Sequence, residues 1–187
     1  MQMSVIRNLL AVFLLALAPL ARADVEQFDD PLVAARITRA INTLTERFPE
    51  LQGVTVTSAK LDLDTYAEAD GAKITFNSVY TSNARVLERL IITDVQNGFH
   101  PALGYCTPEQ LLTYHEAAHV IDVKKNRRPS DAVEKRYGTA SGLQLSGYSF
   151  SDGALNPVEA LAEAVASTLC NGGSPLEQEM FKLLEGN

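Results

Sequence analysis

The sequence has 187 residues, of which 46% are hydrophobic and 21% are charged, and its net charge is −7. A chain of this length and composition suits one compact domain and fits neither a disordered nor a fibrous protein. Because acidic residues outnumber basic residues by 23 to 16, nucleic-acid binding through a basic face is not expected. The three histidines all lie within one short stretch of the chain: His100, His115 and His119.

The N-terminus has the pattern of a secretory signal peptide. Arg7 supplies positive charge, residues 9–18 are an uninterrupted apolar run, and an A-x-A cleavage motif ends at Ala23. An apolar helix of this length spans about 15 Å, half of a bilayer core, so cleavage fits better than the alternative of a membrane anchor. The sequence therefore predicts a signal peptide over residues 1–23 and a secreted or periplasmic domain over residues 24–187.

Capping residues and prolines predict where the helices begin, and alternating β-branched residues predict two strands. A mostly helical α+β domain with a short sheet is the expected fold. The predicted elements in chain order are a helix between Asp30 and Pro49, strands over 53–63 and 72–80, a helix over 83–95, a helix from Thr107 to Val123, a short helix near 131–136, an irregular segment over 138–153, a helix from Asn156 to Cys170 and a last helix from Ser174.

The helix that begins at Thr107 carries an H-E-x-x-H motif, formed by His115, Glu116 and His119. Residues four apart share one face of a helix, so both imidazoles can bind one zinc ion. Glu116 lies beside the first histidine, where it can act as general base for an attacking water. The alternative is a pair of solvent-facing histidines on a surface helix.

A catalytic zinc site needs a third protein ligand and an open fourth position. Glu159 is the best candidate, and Glu163 lies four residues further on the same helix face, where it can hydrogen bond to a ligand. Alternatively, Glu159 completes the helix cap with Asn156, and Glu163 is an exposed helix residue. His100, which precedes Pro101 in a loop, is a poor third ligand and is expected to be a loop residue or a substrate contact.

The H-E-A-A-H-V-I-D and E-A-L-A-E-A segments together resemble the gluzincin metallopeptidases, above all the anthrax lethal factor-type catalytic domain. The resemblance covers residues 107–167. It implies a zincin-like fold, Glu116 as catalytic base and three zinc ligands: His115, His119 and Glu159.

The same resemblance implies roles for two further residues. Tyr148 best matches the tyrosine that stabilises the transition state in that family, although its spacing to Glu159 is longer. Its alternative role is a loop aromatic packed on the core. Asp122 matches the family position three residues after the second histidine. It is expected either to support a metal ligand or to be a solvated helix carboxylate.

In this class of peptidase, the strand before the active-site helix borders the cleft and pairs with the substrate backbone. Residues 72–80 fit that place by their order and alternation, and the alternative is an ordinary interior strand. Strand addition would hold an extended peptide through main-chain hydrogen bonds.

Export makes a disulfide between Cys106 and Cys170 the expected state, with two buried reduced thiols as the alternative. Cys106 lies nine residues before His115, and Cys170 lies eleven residues after Glu159. If both helices supply ligands to one zinc ion, the cysteines can meet only when the helices are antiparallel. An antiparallel pair joined by this disulfide is therefore predicted.

The sequence thus predicts an exported, monomeric zinc endopeptidase that acts on a peptide or protein substrate and has no membrane association after signal cleavage. Two alternatives remain. One is a zinc hydrolase that acts on peptidoglycan peptides. The other is a non-catalytic binding or toxin-like module in which zinc only stabilises the fold.

Overall fold

Helices account for more than half of the chain in the computed structural model, which describes residues 23–186. They combine with a small sheet into one α+β domain, as the sequence predicts. All of the predicted signal peptide except Ala23 lies outside the described residues. Across residues 23–186, none of the helices combines the length and the apolar character that a membrane span requires.

Helix starts follow the capping signals in the sequence. The side chains of Asp30, Asn83, Thr107, Asn156 and Ser174 each accept a hydrogen bond from a backbone N–H in the first turn of a helix. The helices are α1 (Pro31–Arg47), α2 (Ser78–Thr81), α3 (Ala84–Gln96), α4 (Pro108–Lys124), α5 (Arg128–Tyr137), α6 (Pro157–Asn171) and α7 (Pro175–Glu185).

Four short strands form the main sheet in the order β1-β2-β4-β3. The first three strands in that order are parallel, and β3 pairs with β4 in antiparallel fashion. The strands are β1 (Asp24–Glu26), β2 (Thr55–Ala59), β3 (Ala67–Asp70) and β4 (Lys73–Asn77).

Both predicted strands are present, but each is shorter than expected. The strand predicted over 53–63 is β2, and the strand predicted over 72–80 is β4. β4 ends at Asn77 because the side chain of this residue accepts a hydrogen bond from Val79 N (3.2 Å) and so caps α2.

The prediction that residues 72–80 border the cleft is wrong, because β4 lies inside the sheet and β3 is the edge strand. A two-residue hairpin loop joins the two strands, and Gly71 in that loop has the positive φ (58°) that such a turn needs. Asn77 N donates to Tyr66 O (2.8 Å), and alternate residues of an antiparallel strand bond to the partner. The N–H and C=O groups of Ala67 and Ala69 therefore face away from β4.

The segment predicted to be irregular contains one turn of 3₁₀ helix and the strand β5 (Phe150–Ser151), which pairs with β6 (Ala154–Leu155) just after the segment. Two backbone hydrogen bonds tie this turn to the loop after α3: Gly147 N donates to Gly98 O (2.8 Å), and Tyr148 N donates to Phe99 O (2.9 Å). This pairing brings Tyr148 beside the loop that contains His100.

The central helix of the domain is α4, which is buried on nearly every side. The apolar face of α1 packs against it, and buried Glu109 of α4 pairs with Arg36 of α1 at 3.0 Å. Because α4 is buried on nearly every side, its sequence does not separate into one apolar and one polar face as that of a surface helix does. Its polar residues therefore have partners inside the protein or face the cavities described below.

The predicted disulfide and helix direction are confirmed. Cys106, just before α4, is bonded to Cys170 at the end of α6, and their Cα atoms are 5.1 Å apart. The start of α4 therefore lies beside the end of α6, so the helices are antiparallel. Gly104 makes this close approach possible, since a Cβ atom there would lie 2.2 Å from Cys170 O.

The disulfide should contribute strongly to stability because it links residues 64 positions apart. Replacing both Cys106 and Cys170 by Ser is expected to lower the free energy of unfolding by about 4 kcal/mol. Denaturant titration of the variant and of the wild type, each with and without reductant, measures this. Reductant should destabilise only the wild type, and a loss below about 1 kcal/mol in the double variant would contradict the expectation.

Candidate metal centre

Three side-chain atoms from α4 and α6 converge on one point. His115 Nε2 lies 3.0 Å from His119 Nε2, and Glu159 Oε2 lies 3.1 Å from the first nitrogen and 3.3 Å from the second. The two histidines are four residues apart on α4, and Glu159 is in the first turn of α6. His115, His119 and Glu159 form a group that can hold a metal ion.

The size of this triangle fits a small, tetrahedrally coordinated cation. Nitrogen and oxygen ligands at about 2.0–2.2 Å from such an ion lie about 3.3–3.5 Å from one another. The three distances in this protein, 3.0, 3.1 and 3.3 Å, are close to that range. The side chains would need to move by only a few tenths of an ångström to coordinate the ion.

One atom of the triangle, Glu159 Oε2, lacks among the described residues the hydrogen-bond partner that a buried polar atom needs. Although Glu159 Oε2 is buried and close to both histidines, no group within residues 23–186 is aligned to donate a hydrogen bond to it. Burial lowers the pKa of His115, but the carboxylates of Glu159 and Glu163 outweigh this effect and raise it to about 10. The site therefore attracts positive charge, either a proton or a metal ion.

Glu163 orients the first of these histidines. Its Oε1 accepts a hydrogen bond from His115 Nδ1 (2.8 Å), which leaves Nε2 facing the triangle. Its Oε2 accepts a short hydrogen bond from Ser146 Oγ (2.6 Å). Burial alone would raise the pKa of Glu163, but hydrogen bonds from His100 and His115 lower it to about 2, so this residue stays ionised.

His100 is the residue whose environment differs most from expectation. It is buried and is neither a ligand nor an ordinary loop residue, since its Nδ1 lies 3.1 Å and 3.3 Å from the two carboxylate oxygens of Glu163. Glu163 is thus held by His100, His115 and Ser146. No local sequence pattern connects these residues, because the contact from His100 to Glu163 spans 63 positions.

Glu116 lines two adjoining cavities at the triangle. A cleft of about 320 Å³ is bordered by Glu116, the three candidate ligands and residues of β3. A smaller cavity of about 110 Å³ is bordered by Glu116, His100, Tyr148 and Leu112. Burial raises the pKa of Glu116, which makes its carboxylate a stronger proton acceptor near neutral pH.

Tyr148 lines both cavities, and its ring centroid is 5.5 Å from that of His115. It is partly exposed and therefore accessible to a ligand in the cleft. Burial of the hydroxyl, together with the nearby carboxylates of Glu159 and Glu116, raises its pKa to about 12. The hydroxyl therefore keeps its proton and can donate a hydrogen bond.

The structure places Asp122 away from the metal ligands and corrects both sequence interpretations of this residue. It is fully buried, not solvated, and its carboxylate accepts hydrogen bonds from Ser130 N (3.0 Å) and Ser130 Oγ (2.7 Å). A longer contact of 3.4 Å joins it to Arg127. Asp122 therefore fixes the loop between α4 and α5 and supports no ligand directly.

The chain was compared with protein-family models, with curated proteins and with solved structures, and none of the three comparisons gave a match. The geometry of the site is therefore the basis on which a function can be assigned. Within residues 23–186, that geometry combines three converging ligand atoms, a buried carboxylate beside them and a tyrosine hydroxyl at the same cleft. These groups can bind a cation, accept a proton next to it and donate a hydrogen bond there.

Glu163→Gln should weaken metal binding, because the substitution removes the charge that orients His115 while it preserves size. We expect the zinc dissociation constant to rise about 10- to 100-fold. Competition with a chromogenic chelator measures it. Glu134→Gln, the same substitution at an exposed position of α5, is the control. An effect of Glu163→Gln no larger than that of the control would contradict the orienting role.

Proposed function

We propose that this protein is an exported zinc metallopeptidase of the gluzincin type, which hydrolyses peptide bonds in the cleft between α4 and β3. The observation that carries the proposal is the triangle of His115, His119 and Glu159 with Glu116 beside it. Structural zinc sites have four protein ligands, whereas catalytic sites have three and leave one position open. The three-membered group and its open cleft support a catalytic site.

Zinc suits the donor set, because it accepts two imidazole nitrogens and a carboxylate oxygen in tetrahedral geometry. When bound, it lowers the pKa of a coordinated water molecule to about 7 and polarises a carbonyl oxygen. Glu116 then acts as the general base: its carboxylate accepts the proton of the attacking water and passes it to the leaving amine. The raised pKa of Glu116 suits both transfers.

In the proposed mechanism, Tyr148 stabilises the transition state and β3 binds the substrate backbone. The protonated hydroxyl of Tyr148 donates a hydrogen bond to the oxygen on which negative charge develops in the transition state. The free N–H and C=O groups of Ala67 and Ala69 pair with an extended substrate, which would add to the sheet as a further strand. These contacts hold the scissile bond next to Glu116.

Export is proposed from the N-terminal sequence and is supported by the disulfide. Disulfides persist in the periplasm and outside the cell, whereas cytosolic proteins rarely keep them. The bond between Cys106 and Cys170 joins the two helices that carry the candidate ligands. The redox state of the destination compartment would therefore affect the stability of the site.

Glu116→Gln is the decisive variant for the general base, because the amide keeps the shape of the side chain but cannot accept the proton. The variant should retain stoichiometric zinc and should lose at least about 100-fold in kcat/KM on a mixture of unstructured peptides. Metal analysis and mass spectrometry of the products measure both quantities. Glu134→Gln is the control, and a zinc-loaded Glu116→Gln protein with wild-type activity would refute the mechanism.

Tyr148→Phe should affect catalysis more than substrate binding, because the lost hydrogen bond forms mainly in the transition state. We expect kcat to fall about 100-fold with a small change in KM. Steady-state kinetics with one peptide substrate separates the two parameters. Tyr105→Phe, which changes a fully exposed tyrosine, serves as the control. An unchanged kcat would assign Tyr148 to packing.

A further inference from the structure

The cleft contains one basic residue whose side chain has no role in the mechanism above. Among the described residues that line the cleft, Arg127 is the only arginine or lysine, and Glu68 is the only acidic residue outside the metal centre. Arg127 follows His119 and Val123 along the cleft wall formed by α4. It lies just after the C-terminal end of α4, whereas His119 lies within that helix.

The backbone of Arg127 is held in an unusual conformation. The end of α4 is a Schellman motif, in which Asn126 N donates to Val123 O (2.9 Å) and Arg127 N donates to Asp122 O (2.8 Å). This motif requires a left-handed residue at Asn126 (φ 56°). Arg127 is also left-handed (φ 61°), although the motif does not require it. Such a conformation is costly for arginine and persists only where its surroundings fix it.

The surroundings that fix Arg127 leave most of its guanidinium free. The carboxylate of Asp122 is already bonded to the backbone N–H and the hydroxyl of Ser130, so Arg127 makes only the 3.4 Å contact with it. No other acceptor within residues 23–186 is in hydrogen-bond range of the guanidinium. Since arginine has five N–H donors, it keeps the capacity to bind a carboxylate with two parallel hydrogen bonds.

We propose that Arg127 binds a carboxylate of the peptide substrate and gives the cleft a preference for an acidic residue. This residue would lie on the side of the scissile bond that faces the C-terminal end of α4. The proposal rests on the proposed peptidase function, since it assumes that a peptide occupies the cleft. The carboxylate belongs either to an Asp or Glu side chain or to the C-terminus of a short substrate.

The charge distribution supports this assignment. Of the acidic residues that line the cleft within the described residues, Glu116 and Glu159 belong to the metal centre, and Glu68 lies on β3 at the opposite wall from α4. A substrate carboxylate therefore has one partner of opposite charge along the wall formed by α4, Arg127. A basic substrate residue at the same position would meet like charge.

The test uses pairs of otherwise uncharged peptides with amidated C-termini, which differ only by Glu or Gln at one position. That position is moved one residue at a time along the peptide. Dissociation constants are measured with the zinc-loaded Glu116→Gln protein, and kcat/KM is measured with the wild type. We expect a preference for Glu of about three- to tenfold at one or two adjacent positions, which weakens as salt concentration rises.

Substitutions then assign the preference to one residue. Arg127→Gln should abolish it, and Arg127→Glu should replace it with a preference for Lys at the same position. Arg128→Gln is the matched control, because Arg128 is the adjacent arginine, is exposed and does not line the cleft. It should leave the preference unchanged. A wild type that does not distinguish Glu from Gln, or an unchanged preference in Arg127→Gln, would overturn the proposal.

A second set of peptides, with free C-terminal carboxylates and no acidic side chain, identifies the source of the carboxylate. If these peptides gain affinity through Arg127 and the internal Glu peptides do not, the C-terminal carboxylate is the ligand and the preference for an acidic side chain is refuted. If the wild type binds the peptides but never cleaves them, the peptidase function fails. In that case the comparison of Glu with Gln still decides the role of Arg127.

Discussion

Where α4 and α6 meet, two histidine nitrogens and one carboxylate oxygen face one another at hydrogen-bond distances, and this arrangement attracts a positive charge, either a proton or a metal ion. His115 Nδ1 is committed to Glu163, so His115 Nε2 points at His119 Nε2 and at Glu159 Oε2. The carboxylate of Glu159 is the charged member of this group, and leaving it without a positive partner would be costly. The antiparallel direction of the two helices and the disulfide between their ends maintain this arrangement.

A network of buried hydrogen bonds connects the triangle to residues further from the metal centre. Glu163 accepts hydrogen bonds from His115, His100 and Ser146, which belong to three separate segments of the chain. The loop with His100 is in turn tied to the turn with Tyr148 by backbone hydrogen bonds. The same contacts that orient a candidate metal ligand therefore also place the proposed oxyanion donor, Tyr148. The hydrogen bonds from His100 and His115 explain why a carboxylate as far from solvent as Glu163 can remain ionised.

Apart from the disulfide and the helix direction that it implies, the parts of the structure that the sequence predicts are those with local signals. Caps such as Thr107 and Asn156 mark helix starts, and the spacing of His115 and His119 is a property of one helix. The sequence does not predict β3, because alanine and acidic residues are uncommon in strands. The Asp70-Gly71 turn before β4 is a hairpin signal that points to a strand at this position. The contacts of His100 and Asp122 depend on tertiary packing and have no such signal.

We propose that His115, His119 and Glu159 hold one zinc ion and leave a position open for water. A crystal structure of the zinc-loaded protein, with anomalous diffraction recorded on both sides of the zinc absorption edge, would locate the ion. We expect one zinc ion at about 2.0–2.2 Å from His115 Nε2, His119 Nε2 and Glu159 Oε2, with a water molecule as fourth ligand near Glu116. Zinc bound elsewhere, or a fourth protein ligand that closes the site, would contradict it.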